Sequence, residues 1–163
     1  MTPFGQPPLF RLEVEVRAPE ALDPATMGPV RLVSIELARE LYGIDIRIVQ
    51  EVIRVGTITR VPGAPSPIQG ITSLRGKILP VLDLRSRLGL PQAQVQTRSR
   101  IVVVEIGGRH LGLLVDAVQQ VLALAASGIE PPPEGGELLG GVAHLPDGRL
   151  IILLELDRLL ERA

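Results

Sequence analysis

At 163 residues the chain is long enough for one ordinary domain or two small ones sharing a core. It is 45% hydrophobic and 21% charged, a globular balance, and its formal net charge of −1 gives no general attraction to phosphate backbones or anionic lipid. It has no cysteine, which excludes disulfides, thiol catalysis and thiolate metal sites and favours a cytoplasmic setting.

The opening residues, MTPFGQPPLFRL, have no basic region followed by an apolar run, so no signal peptide is expected. No later stretch reaches the ~20 apolar residues of a membrane helix. LFRLEVEVR alternates Leu12, Val14 and Val16 with charged residues, which fits an extra edge strand as well as a tail. APEALDPATMGP after it reads as a linker. Residues 1–29 therefore form an N-terminal extension. From Arg31 the chain turns β-rich. RLVSIEL is a short strand, and ELARELYGI turns back into a second. VQEVIRV is ambiguous between strand and helical turn. VPGAPSPIQG is a loop, GITSLRGKILPVLDL is strand–turn–strand, and DLRSRLGL is a short helix stopped by Gly89 and Pro91. LPQAQVQTRSR, residues 90–100, is a polar link.

Beyond the link the same order returns. Arg31–Val55 lies without gaps over Arg100–Leu124 at a spacing of about 69 residues, with Arg31/Arg100, Val33/Val102, Glu36/Glu105, Gly43/Gly112, Val49/Val118, Gln50/Gln119 and Val52/Val121 identical. Gly107-Gly108 supplies the hairpin turn. GVAHLPDGRLIILLEL then repeats GITSLRGKILPVLDL, and ELDRLLERA repeats the short helix. About five short strands per repeat, with glycine at the corners, predict a mainly β fold of two small closed or half-closed barrels, residues 30–98 and 99–163. Runs such as IVVVEI and LIILLEL are expected to be buried between them. Terminal strands of such barrels can exchange.

Reactive groups are sparse. His110 and His144 lack companions at metal-ligand spacing and fit solvated or hydrogen-bonded structural roles. Asp83 and Glu155 are equivalent, each placed to cap a short helix. Asp45 and Asp116 read as outward-facing or turn residues. There is no G-x-S-x-G, P-loop or G-x-G-x-x-G motif, so neither enzyme nor cofactor site is expected. Three scattered aromatics, Phe4, Phe10 and Tyr42, argue against a single-stranded nucleic-acid binder. Binding is the function left. The copies differ most at one turn, where Arg75 stands against Pro146-Asp147. The fold cannot need that arginine, because both copies make the turn. It is a solvated turn residue or a partner contact, and reversing its charge is expected to cost little stability.

The order YGIDI, VPGAP, SLRG and DLR, followed by the second repeat, closely resembles the CheW-like family of bacterial chemotaxis coupling proteins over residues 31–160. The resemblance implies two tandem SH3-like five-stranded barrels, no enzymatic activity and no metal or cofactor. It implies two partners, the cytoplasmic tips of methyl-accepting chemoreceptors and the CheW-like regulatory domain of the chemotaxis histidine kinase. The setting is cytoplasmic, beside receptor arrays and without membrane insertion. The family's asparagine-leucine-arginine-glycine motif falls on Ser73, Leu74, Arg75 and Gly76, and its receptor-contacting positions fall on Arg75, Gly70 and Val49. Ile71 and Leu74 are candidates to line the same groove. Ile44, Ile46 and Leu113 are the candidates for kinase contact. Ser73 replaces the motif's asparagine, and Gly63 stands where an asparagine is usual before Ala64-Pro65. A scaffold for another receptor–kinase pathway, such as one for twitching or gliding motility, is the alternative.

Overall fold

The computed structural model describes residues 29–63, 68–133 and 139–161. The suggested strand within residues 1–29 lies outside these. Strands β1 (Val30–Leu37) and β2 (Glu40–Asp45) form a hairpin. Its turn, Ala38-Arg39, has φ of 50° and 69°. The other repeat makes the same turn with Gly107-Gly108 at 60° and 79°. Two successive left-handed residues suit the twist of a tight hairpin, so the geometry is common to both copies even where side chains make it costly.

A 3-10 turn at Ile46–Ile48, capped by Asp45, leads to β3 (Val49–Arg54). Then follow β4 (Ile68–Leu74), β5 (Lys77–Asp83) and the one-turn helix α1 (Leu84–Arg87). The second repeat supplies β6 (Arg100–Ile106), β7 (Arg109–Val115) and β8 (Ala117–Leu124). It continues with β9 (Ile129–Glu130), β10 (Leu139–His144), β11 (Leu150–Leu154) and helix α2 (Leu156–Glu161). VQEVIRV, ambiguous in the sequence, is strand through Arg54, and its counterpart in the second repeat, VQQVLAL, is strand as well.

The strands form two sheets, ordered β8-β1-β2-β11-β10-β9 and β3-β6-β7-β5-β4. Neither follows the repeat boundary at 98/99. The β1–β2 hairpin joins β8–β11 of the second repeat, and β3–β5 join the β6–β7 hairpin. Parallel pairs, β2 with β11 and β5 with β7, stitch the halves in each sheet. In both sheets the two edge strands are joined directly by the chain. One sheet has six strands rather than five because β9 pairs with β10 there. The first repeat makes the equivalent pairing through the single bridge Thr59–Ile71, with both N–H···O distances 2.8 Å.

Three apolar clusters follow from this exchange. Ile53, Leu79, Val81, Ile101, Val103 and Leu114 form the inner core of the five-stranded sheet. Leu32, Leu41, Ala143, Leu145 and Ile151 form that of the six-stranded sheet. The largest cluster lies between the sheets and draws on β1, β2, β3, β5, β6, β7, β11 and both helices. In β6, Ile101 and Val103 face inward while Val102 and Val104 face the other sheet. A strand buried on both faces reads as an unbroken apolar run, the form of IVVVEI.

Candidate functional site

The β4–β5 hairpin turns through Arg75 and Gly76, with φ of 51° and 81°. Gly76 takes a left-handed conformation freely; Arg75 pays about 1 kcal/mol for it. The backbone thereby aims the Arg75 guanidinium back across the mouth of the five-stranded sheet to Glu51 on β3. Nη1 lies 2.6 Å from Oε1 and Nη2 2.8 Å from Oε2, a fork-on-fork pair. The carboxylate's hydrogen bonds raise the arginine's pKa further, against a small opposing effect of burial. Glu51 is 10% exposed at its side chain and Arg75 is 49% exposed. β3 and β4 are the two edges of the sheet, so the pair closes its open side. Thr72 does the same deeper down, its Oγ1 donating to the Thr57 carbonyl at 2.8 Å.

This geometry corrects the expectation that charge at Arg75 is nearly free to change. A carboxylate almost removed from water needs its cation, and a second carboxylate in its place adds repulsion to desolvation. It also accounts for the asymmetry of the repeats. Glu51 corresponds to Gln120, whose backbone pairs with the Ser34 hydroxyl instead. With no acid to meet, the second turn carries Pro146-Asp147, and Asp147 pairs locally with Arg149 at 2.7 Å. Arginine and glutamate are present together in one copy and absent together from the other.

Beside the pair lies a groove of about 370 Å³, lined by Gln50, Glu51, Leu74, Arg75, Lys77, Ile78, Leu79, Val103 and His110. Two of the five receptor-facing candidates, Leu74 and Arg75, meet in it. Ile71 and Gly70 lie further along β4, Ile71 half-buried and Gly70 buried. A Cβ at Gly70 would stand 2.3 Å from the Thr59 carbonyl oxygen, so glycine here permits the Thr59–Ile71 bridge. Val49 is buried in the cluster between the sheets.

Of the kinase-facing candidates, Ile44 and Leu113 have 0% exposure in that same cluster. They are core residues that give a partner no area, and the expectation of surface contact is corrected for both. Ile46, in the 3-10 turn, is half-buried and keeps some surface. Sequence analysis missed Glu51, Lys77 and Ile78. A lone acid in an apolar strand, absent from the other copy, was the available signal for Glu51. For Ile78 the continuous run KILPVLDL hides which residues face out.

The other polar residues singled out in the sequence lie outside this groove, except His110 on its wall. Asp83 caps α1, accepting from the Arg85 N–H at 3.0 Å, and Glu155 lies against Gly140. His110 meets Glu105 at 3.2 Å on the surface, and His144 is exposed at the end of β10. Among the described residues no three potential metal ligands cluster. Gly63 has φ of 80°, a conformation that glycine and asparagine share, so this departure from the family pattern keeps the backbone it needs.

Comparison with known proteins places these features. The family model of the CheW-like domain matches residues 31–163. The chain is 37% identical to a chemotaxis protein CheW of Klebsiella aerogenes over 129 residues, covering 76% of this chain and 77% of that one. It is 36% identical to protein FrzA of Myxococcus xanthus over 126 residues, 74% and 79% of the two chains. The crystal structure of the scaffolding protein TtCheW from Thermoanaerobacter tengcongensis superposes with a TM-score of 0.76 at 42% identity, covering 82% of this chain and 93% of that one. The two sheets, the intertwined repeats and the sequence matches agree: the chain belongs to the CheW-like family.

Proposed function

We propose that the protein is a non-enzymatic adaptor that couples chemoreceptor cytoplasmic tips to the chemotaxis histidine kinase. Family membership supports the coupling role. The observation that supports a receptor-facing surface is the groove beside Arg75, where an apolar floor meets a pre-aimed guanidinium at the rim. Receptor tips are helical, and a helix docked in a groove needs an apolar strip with a few directed polar anchors. Leu74 supplies apolar surface and Arg75 the anchor, held by Glu51 so that little side-chain entropy is lost on binding. Ile71 extends this face, while Val49, packed between the sheets, and Gly70, against the Thr59 backbone, are buried and act through the fold. Of the kinase-facing set, Ile46 contributes contact area, and Ile44 and Leu113 hold the core behind it. Among the described residues no helix is long and apolar enough to cross a membrane.

Because Arg75→Glu would also damage the fold, the test removes the pair together. Glu51→Gln with Arg75→Gln is expected to weaken binding of a receptor-tip fragment at least about tenfold, about 1.4 kcal/mol, while Glu51→Gln alone keeps the cation and loses less, only the contribution of holding it in place. Affinity for the kinase regulatory domain stays at the wild-type level in both. Calorimetric titration against the two fragments reads this directly. Equal loss toward both partners, or no loss toward the receptor, would remove the assignment.

A further inference from the structure

Ile78 is 73% exposed, against 41%, 49% and 48% for Val61, Val95 and Leu150, the other large exposed apolar side chains among the described residues. It sits opposite Ser73 in the hairpin that carries Arg75 and lines the groove beside it. Its neighbour Leu79 is buried in the inner core, so β5 is anchored without any contribution from Ile78. An isolated aliphatic side chain on the surface needs no explanation. One on the wall of a groove beside a fixed guanidinium has the makings of an interface anchor.

The charges around it narrow the occupant. Glu51 and Arg75 neutralise each other, and His110, on β7 across the groove, faces Glu105 of β6. Lys77 forms none of the ion pairs found among the described residues, and the groove therefore carries an uncompensated positive charge beside its exposed aliphatic. The equivalent groove of the other sheet, about 310 Å³, is built differently. There Leu150 stands with Glu36, Glu40 and Arg39, and Arg149 is already paired with Asp147. In that second groove the cation Arg39 stands beside Glu40, an acid with no ion pair among the described residues, whereas beside Lys77 the acid lining the groove, Glu51, is taken up by Arg75.

We infer that Ile78 and Lys77 complete the recognition surface around Arg75, and that its occupant is an amphipathic helix presenting an apolar side chain with a carboxylate one turn away. Residues three or four apart on a helix are neighbours on one face, which lets one turn deliver both groups. This rests on the receptor-facing reading above and extends it to the chemistry of the partner. Ile78 gives affinity by leaving water, and Lys77 selects the acidic register.

The test titrates a receptor-tip fragment, at two salt concentrations, into Ile78→Ser, Lys77→Gln and the Glu51→Gln/Arg75→Gln double variant, with the kinase regulatory domain as control. Ile78→Ser is expected to weaken receptor binding roughly tenfold at both salts. Lys77→Gln weakens it at low salt and flattens the salt dependence. Tm and kinase affinity do not move. If the double variant loses receptor binding while Ile78→Ser binds like wild type, the inference is overturned and the receptor reading stands. If neither loses it, both fall. Loss of kinase affinity in Ile78→Ser would overturn the inference by giving this face to the other partner.

Discussion

Arg75 and Gly70 are both receptor-facing by family resemblance, yet their side-chain surroundings assign them different work. Arg75 projects over the groove with half its surface free. Gly70 has no room for any side chain, and the obstruction is the backbone oxygen of Thr59, which cannot rotate away. Gly70→Ala should therefore break the Thr59–Ile71 bridge and cost about 2–3 kcal/mol, the scale of a forced shift in a packed site. Thermal unfolding checks this, and a wild-type Tm would return Gly70 to the list of direct contacts. A receptor-binding defect at Gly70 thus reports on folding, whereas one at Ile78 reports on contact.

At the scale of elements, one carboxylate ties parts of both sheets together. Asp116, between β7 and β8, accepts from Arg85 Nε at 2.8 Å and Nη2 at 2.6 Å. It also accepts from the Ala38 N–H in the β1–β2 turn at 2.8 Å. Arg85 reaches on to the Pro91 carbonyl, so α1, the link and that turn share one junction. Burial by itself would raise the Asp116 pKa, but the Arg85 and Ala38 hydrogen bonds and the charges of Arg85 and Arg98 outweigh it and hold the carboxyl below its usual range. A group depressed in the folded state stabilises above its unfolded pKa, about 3.9 for aspartate, and loses that contribution as pH falls through the folded value. Asp116→Asn is expected to cost about 2 kcal/mol at pH 7. Its gap from wild type should narrow below about pH 4. Denaturant melts at pH 7 and pH 3 check both statements; a gap that stays constant would show that the ionised carboxylate adds nothing.

Across the whole molecule the exchanged hairpins make each repeat depend on the other. β3 hydrogen-bonds to β6, and β2 to β11, so residues 30–98 alone would present unpaired edges and an uncovered apolar face. That fragment is expected to show no cooperative melt by circular dichroism, and a sharp transition would establish an independent first unit. In the intact chain, Leu113→Ala opens a cavity between the sheets and should lower stability by about 3 kcal/mol within one transition. Loss of kinase binding in that variant would follow from the fold and carries no information on contact.

Local chemistry decided what the sequence could declare by itself. Strand, turn and short-helix identities follow from β-branched runs and glycine placement, and the repeat with its SLRG turn marks the family. The Arg75/Pro146-Asp147 difference also points to the hairpin that carries the ion pair with Glu51. Which strands neighbour one another was decided only in three dimensions, because the partners of β1 and β3 lie in the other repeat and periodicity carries no record of them. The same exchange buries β2, β6 and β7 on both faces. Alternation is then erased, so Ile44 and Leu113 cannot be told from surface residues, nor Ile78 from core residues, until both sheets are in place. Only the fold's closure brings Glu51 from one edge to Arg75 at the other, turning an apparently free turn charge into the partner of a buried carboxylate.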